Sequence, residues 1–148
     1  EGLVSWLGSL TMIPIHIATD LETILPGHIY FAPDHHHLGI IDFRIKLVEC
    51  SKDSGFLCPS VAHLFSKLAM NYGKDTIAMI LTGMGSDGSK ELKMLRDAGA
   101  VTIAQDKESS LVHGMPGVAI ELEAADYVLN PNEIADLLYK IEKHSLYK

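Results

Sequence analysis

The spacing of apolar residues along the chain changes near residue 59. Before that point, apolar and polar positions alternate in short runs that are separated by turns. Alternation with a period of two is typical of strands with one buried face, so this part predicts short strands in antiparallel hairpins. The predicted elements are the end of a helix at 3–7 and strands at 13–17, 28–32, 38–41 and 44–48.

After residue 59, helical spacing alternates with nearly unbroken apolar runs. An unbroken run is typical of a parallel strand that is covered on both faces, and alternation of strand and helix predicts right-handed crossovers. The predicted fold class is α/β: a doubly wound, mostly parallel sheet with helices on both faces in a three-layer αβα arrangement, plus the antiparallel hairpin region. The predicted helices are 60–72, 86–98, a short one near 118–122 and one from 131; the strands are 76–82, 101–104 and 127–129.

Composition narrows the class of protein. With 148 residues, 47% hydrophobic and 21% charged, the chain is typical of one globular domain. The net charge of -7 argues against a nucleic-acid partner, and no run approaches the roughly 20 apolar residues of a membrane span, so we expect no membrane insertion. Two cysteines are too few for a disulfide scaffold and lack the close pairing of a redox or zinc motif. We therefore expect a reducing cytoplasm, with Cys58 as a small buried apolar residue.

The candidate chemistry lies where the strand at 76–82 ends in Gly83, Met84, Gly85 and Asp87. Glycines remove the side chains that would keep a substrate from the backbone, so amide hydrogens there can form an oxyanion hole. An ionised aspartate at a helix start can orient the histidine of a Ser-His-Asp triad. A strand-Gly-X-Gly-helix turn with an acid is also a common helix cap, so shape alone leaves both interpretations open.

The residues themselves resemble a known family. Residues 80–88, Ile-Leu-Thr-Gly-Met-Gly-Ser-Asp-Gly, are similar to the signature of the chemotaxis protein-glutamate methylesterases (CheB). The resemblance continues in order through residues 25–33 with His37 and Leu38, then 59–65, 98–106 and 112–120. It spans roughly residues 12 to 140.

The resemblance implies roles for individual residues. Asp87 is expected to be the triad aspartate, and the backbone amide of Met84 is expected to contribute to the oxyanion hole. From their positions at the strand ends, and not from the resemblance, Gly83, Gly85 and Gln105 are expected to bind substrate, although Gln105 is equally well explained as an amide that anchors a loop. No cofactor is implied, because a serine hydrolase supplies its own nucleophile and base.

The chain departs from the family in lacking two motifs. Neither the Gly-x-Ser-x-Gly-Gly nucleophile loop nor the Gln-His-Met-Pro-like histidine segment occurs in it, and both are expected before Glu1. Residues 1–148 are therefore predicted to be a single CheB-like domain without its N-terminal part, inactive by itself. A non-catalytic regulatory module of the same fold is the alternative. An anion-binding domain is a further one, but Asp87 would repel the anion and a P-loop lysine is absent.

For the complete protein, the resemblance implies hydrolysis of glutamate γ-methyl esters on the cytoplasmic helices of chemoreceptors. Related members also deamidate receptor glutamines, and in many of them a receiver domain precedes the esterase. The expected location is the cytoplasm.

Histidines offer two further candidates. His113 follows a strand on the same sheet edge as Asp87 and is a candidate replacement for the missing base. The run His35 to His37 follows Asp34, and two of these imidazoles with Asp34 would suffice for adventitious zinc or nickel binding. Because neighbouring side chains on a strand alternate sides, the three cannot converge on one ion, and no metal site is predicted.

Overall fold

The computed structural model describes residues 2–51 and 57–145. It divides into two compact units, Glu1–Asn71 and Tyr72–Lys148. The elements of the first unit are α1 (Gly2–Leu10), β1 (Ile15–Ile17), β2 (Ile29–Phe31), β3 (His36–Ile41), β4 (Arg44–Glu49) and α2 (Val61–Asn71).

The strands of the first unit pair in two different ways. β3 and β4 form the predicted antiparallel hairpin, closed at Asp42 and Phe43, whose positive φ angles of 49° and 57° suit a two-residue hairpin turn. β1 and β2 are parallel, so the prediction of a hairpin there is wrong. The reason is the connecting segment 18–28, which bonds to the β3–β4 hairpin through Leu21 N–H and the Ile45 carbonyl before β2 begins.

The core of the first unit is small. Ala18, Leu38 and Ile45 are buried, and a ring of half-buried apolar residues packs against them. These neighbours are Ile24, Tyr30, Ala32, Ile40, Leu47 and Leu64. Leu64 brings α2 into this core, so the helix and the hairpin are fixed to one another by apolar contact.

Cys50 and Cys58 are joined by a disulfide, a pairing that their number and spacing in the sequence do not predict. Cys58 is half-buried, not a buried apolar residue. Cys50 directly follows β4 and Cys58 lies just before α2, so the packing of hairpin and helix brings their Cα atoms within 6.3 Å. The pairing therefore depends on tertiary structure that sequence spacing does not reveal.

The second unit has an α/β fold, in which helices alternate with the strands of a parallel sheet. Its elements are a 3-10 turn (Gly73–Asp75), β5 (Ile77–Ile80), α3 (Ser89–Asp97), β6 (Val101–Gln105), α4 (Met115–Glu121), β7 (Tyr127–Leu129) and α5 (Pro131–Ser145). The strands are parallel in the order β5-β6-β7, and α3 and α4 pack against β5 and β6. Leu92, Leu95 and Ile103 are fully buried between them. The α/β class, the parallel strands and the antiparallel hairpin are confirmed.

The start of α3 differs from the prediction. The helix begins at Ser89 and not at Ser86, because Gly88 has a φ of 79°, which lies in the left-handed region that a helix cannot contain. Asp87 therefore lies in the turn before α3, and its expected place in the first helical turn is wrong.

Among the described residues, no helix has the length and apolarity needed to cross a lipid bilayer.

An ion pair ties α3 to the sheet. The Asp126 carboxylate accepts hydrogen bonds from Arg96 Nε at 2.8 Å, from the Thr102 backbone at 3.1 Å and from the Thr102 hydroxyl at 3.0 Å. Burial raises the pKa of Asp126, but these hydrogen bonds outweigh it, so the pKa lies below the ordinary value of 3.8. The ionised carboxylate is thus bound more tightly in the folded state than the protonated one.

We expect Asp126→Asn to lower the free energy of unfolding at neutral pH by about 1 kcal/mol, because the ion pair and a charge-assisted hydrogen bond are lost. A group whose pKa is depressed by folding stabilises the fold above its unfolded pKa and loses that effect as pH falls through the folded pKa. Urea denaturation should therefore show the difference from wild type shrinking below about pH 4. Asp136→Asn, at an exposed position on α5, is the control. An equal difference in acid and at neutrality would contradict the assignment.

Candidate active site

The chain leaves β5 at the carboxyl edge of the sheet and forms an exposed loop, residues 81–88. The Met84 side chain is 87% exposed. Among the described residues, no hydrogen bond is found to the backbone N–H of Met84. An N–H without a protein partner at the end of a parallel strand is available to an anionic oxygen.

The loop is anchored by a second segment, residues 112–115. Gly83 forms an isolated parallel bridge with His113. Its N–H donates to the Val112 carbonyl at 2.9 Å, and its own carbonyl accepts from Gly114 N–H at 3.1 Å and from Met115 N–H at 2.9 Å. The backbone of Gly83 is thus held on both sides, immediately before Met84.

Gly114 permits the close approach of these two segments. A Cβ at this position would lie 2.9 Å from the Gly83 carbonyl oxygen and 3.0 Å from the Gly85 nitrogen. Any side chain would therefore push the loop away. The family resemblance includes residues 112–120 but implies no role for Gly114, because the signal for one lies in a tertiary contact.

Gln105, the last residue of β6, is hydrogen-bonded to the loop that follows β5. It is 4% exposed, and its Oε1 accepts a hydrogen bond from Thr82 N–H at 2.8 Å. Its Nε2 donates to the backbone carbonyl and the hydroxyl of Ser109, each at 3.0 Å. The amide therefore joins the loops that follow two adjacent strands. Its contact with substrate stays a prediction.

Asp87 is half-buried and lies between two fixed points. On one side is the anchored Gly83; on the other is the start of α3, where buried Ser89 donates its hydroxyl hydrogen to the Met115 carbonyl at 3.1 Å. The first turn of α3 closes through Leu92 N–H and the Gly88 carbonyl at 2.7 Å. The backbone at Asp87 is therefore held between α3 and the same segment that anchors Gly83.

The structure brings Gly83, Met84, Gly85 and Asp87 together in one loop. His113 contributes its backbone to this loop, while its ring Nδ1 lies 3.4 Å from the Ser110 hydroxyl. A catalytic role for His113 stays a prediction. Hydrogen bonds from Ser109, together with the charge of His113, hold the pKa of Asp106 below its ordinary value.

The histidine run does not converge. His36 Nδ1 donates to the Asp34 carbonyl at 3.0 Å, whereas His37 Nδ1 lies 3.2 Å from the Ser60 hydroxyl. Within the described residues, the cluster with metal-binding potential is His37 with Cys50 and Cys58, in the first unit. Residues 81–115 contain no such cluster within that described range.

We expect Gln105→Leu to lower the free energy of unfolding by about 1 kcal/mol, because Thr82 N–H loses its acceptor and Ser109 loses the donor that buried Gln105 supplies. Hydrogen exchange at the Thr82 amide should accelerate more than at β5 amides. Glu108→Gln, at an exposed position in the neighbouring loop, is the matched control. Unchanged exchange at Thr82 would refute the anchoring role.

Comparison with known proteins places this geometry in a family. The model of the CheB methylesterase family matches residues 1–138. The chain is 46% identical over 141 residues to protein-glutamate methylesterase/protein-glutamine glutaminase 1 of Syntrophus aciditrophicus, an alignment that covers 95% of this chain and 40% of that protein. A Geobacter metallireducens relative, numbered 4 under the same name, is 46% identical over 140 residues, with 93% and 40% covered.

A solved structure agrees with these matches. The Thermotoga maritima CheB methylesterase catalytic domain superposes with a TM-score of 0.85 at 36% identity, covering 95% of this chain and 76% of that one. The chain spans about 40% of the length of the two curated relatives. With the sequence signature in an anchored loop at the sheet edge and the matches running almost the whole length, this chain belongs to the CheB methylesterase family.

Proposed function

We propose that the protein to which this chain belongs hydrolyses glutamate γ-methyl esters on the cytoplasmic helices of chemoreceptors, and that the same site deamidates receptor glutamines. The names of the relatives, protein-glutamate methylesterase/protein-glutamine glutaminase, support this pair of reactions. The observation that carries the proposal is the Met84 N–H, which has no partner among the described residues and lies in an anchored loop that also holds half-buried Asp87.

The proposed mechanism is acyl transfer through a Ser-His-Asp triad. A serine attacks the ester carbonyl, a histidine takes the serine proton, and Asp87 holds the imidazole in one tautomer and stabilises its charged form. The Met84 N–H donates to the oxyanion of the tetrahedral intermediate. Methanol then leaves from an ester, or ammonia from a glutamine, and water releases glutamate from the acyl-enzyme in both cases.

In this proposal, the serine and histidine come from elsewhere in the whole protein, because residues 1–148 contain neither of their motifs. Residues 1–148 are then one portion of a single methylesterase domain. Gly83 and Gly85 leave space for the substrate beside the backbone, and no cofactor is required.

In this proposal, the whole protein acts in the cytoplasm. It also contains a receiver domain. The chain accounts for about 40% of its relatives' length, which supports additional domains. The net charge of -7 supports a protein partner over nucleic acid.

We expect Asp87→Asn in the full-length protein to lower kcat by about 10³- to 10⁴-fold, because the imidazole loses the group that fixes its tautomer. KM should change little, and the melting temperature should show that the fold is retained. Methanol release from a methylated receptor is the measurement. Asp97→Asn is the matched control, since Asp97 lies at the far end of α3 with its side chain 63% exposed.

Unchanged methanol release in the Asp87 variant would overturn the triad assignment. A folded wild-type protein without turnover would favour the non-catalytic regulatory module. The 148-residue chain by itself should release no methanol.

A further inference from the structure

Three soft metal-binding side chains meet in the first unit. A ring nitrogen of His37 and the Sγ atoms of Cys50 and Cys58 all lie within 4.8 Å of one another, and all three residues are half-buried. None of them belongs to the loop at 81–88. The disulfide between the cysteines does not require an imidazole, so the position of His37 needs a separate explanation.

The fold positions each of the three through contacts other than the disulfide. Cys50 N–H donates to the His35 carbonyl at 2.9 Å, which holds Cys50 at the end of the β3–β4 hairpin. His37 lies within that hairpin, opposite Val48. Ser60, two residues after Cys58, donates its N–H to His37 Nδ1 at 3.3 Å. Reduction of the disulfide would thus leave the hairpin and the start of α2 still connected through His37.

The spacing suits a thiophilic cation. Zn²⁺ binds thiolate at about 2.3 Å and imidazole at about 2.0 Å, so tetrahedral ligand atoms are about 3.5–3.8 Å apart. The three atoms here lie within 4.8 Å, so the ring nitrogen must approach the sulfurs by at most about 1.3 Å, while the two sulfurs part from bonding distance to about 3.8 Å. In the tautomer that binds a cation through Nε2, His37 Nδ1–H donates to the Ser60 hydroxyl oxygen 3.2 Å away, the kind of outer hydrogen bond that usually orients a ligating histidine. Three protein ligands leave the fourth position to solvent.

We propose that His37, Cys50 and Cys58 form a Zn²⁺ site that opens when the disulfide is reduced and closes when it forms again. A thiol reductant supplies two electrons and two protons: two reductant thiols become one disulfide, and the Cys50–Cys58 bond becomes two thiols. Zn²⁺ then displaces both thiol protons and binds the two thiolates and the neutral imidazole. Oxidation of the pair removes both sulfur ligands and releases the ion.

Metal titration of the purified protein tests this proposal, with Co²⁺ as the spectroscopic probe and a phosphine as reductant. The reduced protein should bind one equivalent of Co²⁺ with thiolate-to-cobalt charge-transfer absorption, and Zn²⁺ should displace it. The oxidised protein, which has the same composition, should show neither signal. Because these readouts need no substrate, they are independent of the proposed esterase activity.

Variants distinguish this site from surface histidines. Cys50→Ser and His37→Gln should each weaken binding at least about tenfold, since even the loss of an outer-shell partner costs that much. His36→Gln, at the adjacent strand position, should bind as wild type does. Zn²⁺ should also protect both wild-type cysteines from alkylation, a result that does not depend on any variant folding.

Three outcomes would overturn the proposal. They are no stoichiometric binding by the reduced protein, equal binding by the oxidised protein, and wild-type affinity in folded His37→Gln.

Discussion

The backbone pairing of Gly83 with the segment 112–115 is the constraint on which the candidate site depends. It continues the parallel arrangement beyond the last residue of β5, and it occupies both the N–H and the carbonyl of Gly83. The next N–H along the chain, that of Met84, then has no partner among the described residues. A donor that is fixed in place before substrate arrives needs no reorganisation during the reaction, which is the basis of electrostatic preorganisation.

Buried polar groups hold this pairing in place. Gln105 uses its carbonyl oxygen for the loop after β5 and its NH₂ group for the loop after β6. Because Gln105 is buried, leaving either end of its amide without a partner costs more than the hydrogen bond itself contributes, so the two loops are coupled. Ser89 makes the corresponding connection between α3 and α4. The exposed loop is therefore held by two buried, hydrogen-bonded side chains, Gln105 and Ser89.

Sequence periodicity predicted the parts of the fold that follow from local burial. Leu92 and Leu95 are three positions apart in the predicted helix at 86–98, which is the spacing of one helix face, and both are fully buried. Features that depend on distant partners escaped prediction. The parallel pairing of β1 with β2 depends on segment 18–28 contacting β4, and the disulfide depends on the hairpin meeting α2. Neither leaves a periodic signal in the chain.

The sequence motif located the candidate loop but not the contacts that hold it in place. The motif at 80–88 identified the loop, yet the left-handed Gly88 moved the start of α3 and took Asp87 out of the helix. The role of Gly114 appears only when its distance to Gly83 is known. The sequence shows that a loop contains a glycine or a glutamine, but not whether that residue binds substrate or supports a neighbouring segment. Tertiary contacts distinguish these two roles.

Removal of the Met84 N–H itself is the most direct test of the central claim, that the anchored loop presents this group to the reacting oxygen. Replacing Met84 by its α-hydroxy acid analogue in the full-length protein converts the amide to an ester and deletes the N–H while retaining the side chain. We predict that kcat for methanol release falls by about 10²- to 10³-fold, the usual effect of losing one oxyanion donor. An unchanged kcat in the folded ester variant would contradict the account.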